Sequence, residues 1–134
     1  MIGDAIKTIL ASVTANVTPM HIPRNRGSKW CVYTIISNVP HNTKDGASTY
    51  DQYRLQVDCY DTQYDRMDTF AASVKSALDE YSGTASSVVI DHISYVTEFD
   101  SFEFLEPDDG RIAGRGNPEE YYRRMLEFII FVRP

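Results

Sequence analysis

Apolar positions mark out the chain's elements. Near the N-terminus Ile2, Ile6, Ile9 and Val13 recur at intervals of four, three and four, which draws one apolar stripe along a helix. Asn16 and Pro19 are expected to end it, because proline disfavours helical geometry in the residue before it. A short extended piece is expected around 17–22. WCVYTIISNV, 30–39, is dense in β-branched and aromatic residues and reads as a strand. Both of its faces are largely apolar, which predicts a central place in a sheet. PHNTKDGAST, 40–49, reads as a polar connection with a turn signal at Asp45-Gly46, longer than a tight hairpin needs.

The stretch RLQVDCYDTQYDRMDTFAASV, 54–74, sets a cysteine among carboxylates and so raises the question of a reactive site. Its pattern answers otherwise. Tyr53, Leu55, Val57 and Cys59 alternate with Gln52, Arg54, Gln56 and Asp58, the period of a half-buried strand. Cys59 therefore falls on the apolar face, where a free thiol behaves as a small hydrophobe. Met67, Phe70, Ala71, Val74, Leu78 and Tyr81 then trace a helix, with Gly83 where a C-terminal cap belongs. Asp61 or Thr62 caps its start, and Asp65 is placed to answer Thr62 in a capping box. The stretch reads as a strand-to-helix junction.

SSVVIDHISYVTEF, 86–99, carries enough β-formers for a long strand, and 100–118 reads as a polar excursion with Pro107, Gly110, Gly114, Gly116 and Pro118. In the last segment Tyr122, Arg124, Leu126, Phe128, Ile130 and Val132 alternate with residues that also become apolar, which predicts a strand through the sheet's middle. The expected architecture is a single α+β domain over 1–134. It has a mainly antiparallel sheet of about four strands packed by two helices, in the order α-β-β-β-α-β-β.

Composition narrows the function. At 134 residues the chain holds one domain and needs no metal or disulfide to fold. Two cysteines, Cys31 and Cys59, are too few for a disulfide scaffold and point to a reducing compartment. No apolar run approaches the ~18 residues of a membrane helix. Asp4 and Lys7 interrupt what a secretion signal would keep uncharged, so the first segment reads as a cytoplasmic protein's first helix. A net charge of -6 repels phosphate backbones. Basic residues cluster once, in HIPRNRGSKW, 21–30, where Arg24, Arg26 and Lys29 precede Trp30. That tract is either a solvated loop or a contact for nucleic acid.

The spacing of the reactive side chains forms no recognisable constellation. His21, His41 and His92 stand alone, and neither cysteine belongs to a Cys-x-x-Cys pair, so no metal or cofactor is indicated. EPDDG, 106–110, lacks the alternating oxygen ligands of a calcium loop and reads as a turn. GRIAGRG, 110–116, has no strand-then-helix context for a phosphate loop. A Cys59–His92 nucleophile pair is conceivable, but a buried thiol with no cation beside it lacks the means to ionise. The chain does not read as an enzyme.

Three segments in order carry a family resemblance. RLQVDCYDTQYDRMDTFAASVKSAL has a strand ending in an Asp-aromatic pair, a polar cap and an amphipathic helix. LEPDDG has a Glu-Pro-acid-Gly turn, and YYRRMLEFIIFV a closing Tyr-Arg-Arg-x-Leu-acid-Phe strand. Together they resemble the tail-completion (tail terminator) family of long-tailed bacteriophages, from Ala5 to the end of the chain. RIAGRGNPEE, 111–120, departs from that pattern as an insertion before the last strand.

The resemblance implies a non-enzymatic subunit of a ring, usually a hexamer. Such a ring caps the tail tube, ends its growth and joins it to the head-neck complex. The implied partners are further copies of the chain, the tube protein and a head-completion or neck protein. Genome DNA passes through without specific binding, past a bore expected to be neutral or negative. The implied place is the tail-neck region of a virion made in the host cytoplasm. Interface candidates are His41, Asn42, Lys44 and Asp45 in the first polar connection. In the second they are Glu103, Glu106, Asp108, Asp109, Arg111, Arg115 and Glu119. The inserted arginines suit fork-like pairing with a neighbour's carboxylates. The alternative is a small monomeric module that contacts nucleic acid through Arg24, Arg26 and Lys29.

Overall fold

Long strands rich in β-branched and aromatic residues build one mixed sheet with helices on one side. The computed structural model describes residues 2–14, 17–20, 29–43, 46–105 and 119–133. In chain order these form α1 (Ile2–Leu10), β1 (Val17–Pro19), β2 (Lys29–Thr43), β3 (Gly46–Asp61), α2 (Tyr64–Leu78), β4 (Gly83–Ala85), β5 (Val88–Leu105) and β6 (Glu119–Val132). The strand order is β1-β2-β3-β6-β5-β4, antiparallel throughout except for the β1–β2 pair.

The class is α+β as expected, but six strands replace the expected four or so. The four long ones are the predicted body, and β1 is the short extended piece after α1. β4 has no counterpart in the expectation. It turns into β5 through Ser86 and Ser87, both in the left-handed region at φ 48° and 65°. A two-residue hairpin turn needs that geometry, and Asn-Gly is its usual sequence sign. Two serines give no such sign.

The last strand runs between β3 and β5, as its two apolar faces suggested. Leu126, Phe128 and Ile130 are wholly buried on the helix side, with Leu55, Val57 and Cys59 of β3 beside them. From above, α1 contributes Ile6 and Leu10, and α2 contributes Met67, Phe70, Val74 and Leu78.

Several boundaries are corrected. α1 ends at Leu10, before Asn16, in a turn where Val13 N–H donates to the Leu10 carbonyl at 2.9 Å. α2 ends at Leu78, not at Gly83: Glu80 takes the left-handed conformation at φ 65°, and Gly83 lies within β4. At its start Gln63 holds the cap position with no side-chain cap bond, so the Thr62–Asp65 capping box is not formed. Arg66 is the reason: it reaches back one turn, donating from Nε to Asp61 at 3.1 Å and from Nη2 to Thr62 at 2.8 Å. Asp61 also accepts the Gln63 backbone N–H at 3.1 Å.

Where they are described, at 40–43, 46–49 and 100–105, the two polar connections are strand. The β2–β3 ladder continues to Thr43↔Gly46, and the β5–β6 ladder runs from Asp100↔Arg124 to Leu105↔Glu119. Ladder hydrogen bonds come from the backbone, so polar side chains do not prevent them. β2 is also less central than its apolar faces suggested. β1 covers it only at Cys31–Tyr33, and the rest of β2 forms one edge of the sheet among the described residues.

Candidate interaction surfaces

Arg124 is the residue that the sequence pattern hid. It occupies a core-facing place in the alternation of β6, yet it carries a charge. Its side chain is only 13% exposed. Carboxylates gather around it: Nε donates to Asp100 at 2.7 Å, Nη1 to Asp68 at 2.5 Å, and Glu98 lies 3.9 Å away. Nη2 donates to the Tyr64 hydroxyl at 3.2 Å, and that hydroxyl donates to Asp100 at 3.0 Å. Arg124 thus ties α2 to β5 and β6. Its hydrogen bond holds the Asp100 carboxyl below its ordinary 3.8, and Asp100 in turn raises the Tyr64 phenol. A positive side chain within an apolar alternation was the available signal for such a node.

Beside it lie three aromatic rings. Tyr122 meets Phe102 at 5.1 Å and Tyr64 at 5.6 Å between centroids, both edge-to-face. Phe102 is 43% exposed and Tyr64 45%, so these rings form a surface patch with Asp68, Asp100 and Glu98 at its rim.

Across α2 lies an open groove of about 550 Å³, lined by Val13, Lys29, Asp61, Asp65, Arg66, Thr69, Phe70 and Ser73. The Lys29 ammonium stands 5.2 Å from the Phe70 ring centre. Asp61 is buried and committed to Arg66 and the Gln63 amide.

The sheet face away from the helices has its own small cluster. Trp30 stacks on Tyr60 at 3.8 Å, with Tyr121 edge-on to both and Val32 alongside. Among the described residues the Trp30 indole N–H has no acceptor. Asp58 accepts from Arg123 Nε at 2.9 Å and from Gln56 at 3.0 Å, and Arg54 Nε pairs with Glu127 at 2.6 Å.

Cys31 and Cys59 face each other across the β2–β3 ladder as free, buried thiols. Burial, then the charge of Asp58, pushes Cys31 up to about 12. Burial, then Cys31, raises Cys59 well above its ordinary value. Both stay protonated at neutral pH and make poor nucleophiles. Cys59 lies opposite Arg124 while His92 lies opposite Phe131, so the conceivable Cys59–His92 pair does not meet. Among the described residues no three His, Cys, Asp or Glu side chains group to hold a metal. No helix among them is long and apolar enough to cross a membrane.

No family model and no curated protein matches the chain. Solved structures do, one virion chain among them. A chain from the virion of a native gene transfer agent particle shares the fold at a TM-score of 0.62 and 15% identity, covering 94% of this chain and 84% of that one. At that identity the likeness is one of fold.

The fold separates the residues expected at an interface. His41 and Asn42 lie on β2 in the arm that ends at Thr43↔Gly46, beyond Asp51↔Val132. Glu103 and Glu119 lie on the β5–β6 ribbon at the opposite end, where Glu103 pairs with Tyr121 and Leu105 with Glu119. Lys29 shares that second end through Lys29↔Asp61 and Asp61↔Tyr122. Arg24, Arg26, Lys44, Asp45, Glu106, Asp108, Asp109, Arg111 and Arg115 lie outside the described residues.

Proposed function

We propose that this chain is a non-enzymatic structural virion protein: a ring-forming subunit that caps a phage tail tube, ends its elongation and joins it to the head-neck complex. The observation that carries the reading is the fold shared with a virion chain over nearly the whole of both molecules. The order of the three sequence segments supports the finer role within the virion. The inert, buried thiols fit a subunit whose work is assembly.

The alternative of a monomeric nucleic-acid module loses its aromatic platform. Trp30 would have to stack on bases, and it is wholly buried against Tyr60. Lys29 projects toward α2 and Phe70, on the opposite side of the sheet from Trp30.

The test is to mix the purified protein with tail tubes and inspect tube ends by negative-stain electron microscopy. Ring-shaped density at one end of each tube, and a ring mass by sedimentation, are expected. Bare tube ends with a monomer in solution would refute the reading.

A further inference from the structure

Cys31 of β2 and Cys59 of β3 stand directly opposite each other in the antiparallel ladder, and both side chains are wholly buried in the main core. The backbone fixes how close they come. Met20 N–H donates to the Tyr33 carbonyl at 2.9 Å, so Tyr33 turns its polar backbone groups toward β1. Cys31 lies two residues earlier on β2 with no bulge between, and turns its groups the same way. It therefore meets Cys59 as a non-hydrogen-bonded pair, the closer of the two antiparallel kinds, with Cα atoms about 4.5 Å apart. A disulfide spans Cα separations of about 4.4–6.8 Å. The charge of Cys31 is also the second cause, after burial, that raises Cys59, a further sign that the two thiols are neighbours.

We propose that Cys31 and Cys59 are a latent cross-strand disulfide, kept as thiols in a reducing medium and closed by a peroxide-class oxidant in an oxidising one. The inference stands apart from the ring reading, since it needs only the register of β2 with β3 and β1. Hydrogen peroxide balances the step. One thiol gives up its proton and its sulfur attacks the O–O bond, which leaves a sulfenic acid and one water. The second sulfur attacks the sulfenic sulfur, the S–O bond breaks, and the oxygen departs as a second water. Two thiols are oxidised by two electrons in all, and the peroxide is reduced to two waters.

Each thiol alone reacts slowly, because burial keeps it protonated. Access comes through the edge of the sheet. β1 is three residues long and is the strand that pairs with Cys31 on its outer side. An edge this short opens locally at far lower cost than the whole fold. Once the first sulfur is oxidised, the opposing sulfur is its nearest nucleophile, so the pair closes ahead of further oxidation. The bond joins two distant points of the chain and stabilises by restricting the unfolded state.

The parent chain tests this directly. Full-length protein is incubated with dilute hydrogen peroxide, then denatured for a count of free thiols, with intact mass measured in parallel. Both thiols should disappear, the mass should fall by two hydrogens, and a protease digest should join the peptides that hold Cys31 and Cys59. The melting temperature should rise by roughly 10 °C and return on reduction with dithiothreitol. Cys59→Ala should lose the peroxide-dependent rise, and the parent measurements stand whether or not that variant folds.

Two free thiols after prolonged exposure a few degrees below the melting temperature would overturn the proposal. So would sulfinic or sulfonic acids on separate cysteines, or disulfides formed only between molecules. A joined pair that lowers the melting temperature would overturn it too, because the bond would then form against the native geometry.

Discussion

The two faces of the sheet are held by different physics. On the helix side, Leu55, Val57, Leu126, Phe128 and Ile130 are sealed under α1 and α2, so burial of apolar surface dominates. On the other side, one aromatic cluster sits beside two cross-strand ion pairs, Asp58–Arg123 and Arg54–Glu127. The covered face supplies most of the stability. The open face contributes register, because a one-residue slip would separate each charge from its partner. The difference teaches that one sheet can be held by apolar burial on one face and by ring stacking and charge pairing on the other.

The strongest challenge to this comparison is a cavity on the covered face. Leu126→Ala should cost roughly 2–5 kcal/mol, read by chemical denaturation. A loss under about 1 kcal/mol would mean the helix side is not the principal core. The double change Cys31→Ser, Cys59→Ser comes next. It should cost about 1–3 kcal/mol, since two hydroxyls replace buried thiols but face one another across the ladder. Ring assembly should be unaffected, and a folded double variant that fails to assemble would overturn the structural role given to both thiols.

On the face away from the helices, Asp58→Asn removes the carboxylate charge that Arg123 meets at 2.8 Å and should cost about 1–2 kcal/mol. Denaturation of the Asp58→Asn, Arg123→Gln double variant sharpens this: if the two losses simply add, the ion pair contributes nothing.

The smallest effect belongs to the Arg124 node. The folded Asp100 carboxyl titrates below its ordinary 3.8, so the stability it adds is fully present above that value. It is lost as pH falls through the lowered pKa. The Asp100 side chain is 38% exposed, so screening keeps the effect small. Asp100→Asn should flatten the acid limb of a stability-against-pH curve below about pH 4, and an unchanged limb would remove Asp100 from the account.

Much of the covered face was legible because its side chains alternate with the strand period: Leu55, Val57 and Cys59 on β3, Leu126, Phe128 and Ile130 on β6. The fate of Cys59 followed from that alternation alone. Strand lengths were not legible. Residues 40–43, 46–49 and 100–105 fall in stretches that read as polar connections, but the strands recruit them all the same. The capping box failed because Arg66, four positions beyond Thr62, takes its oxygen, a competition that spacing rules do not weigh. Arg124 was passed over as one more residue of a strand, although a charge on a core-facing position demands carboxylates nearby. Pairing across three chain segments, from Tyr64 to Asp68, Glu98 to Asp100 and Arg124, exists only once the fold is formed.

Tube growth offers the most direct measurement. Tail-tube protein should be polymerised with and without this protein, and tube lengths followed over time by electron microscopy. The account predicts that capped tubes stop lengthening at one end once the protein is bound. Tubes that keep growing at the rate and to the lengths seen without it would contradict the account.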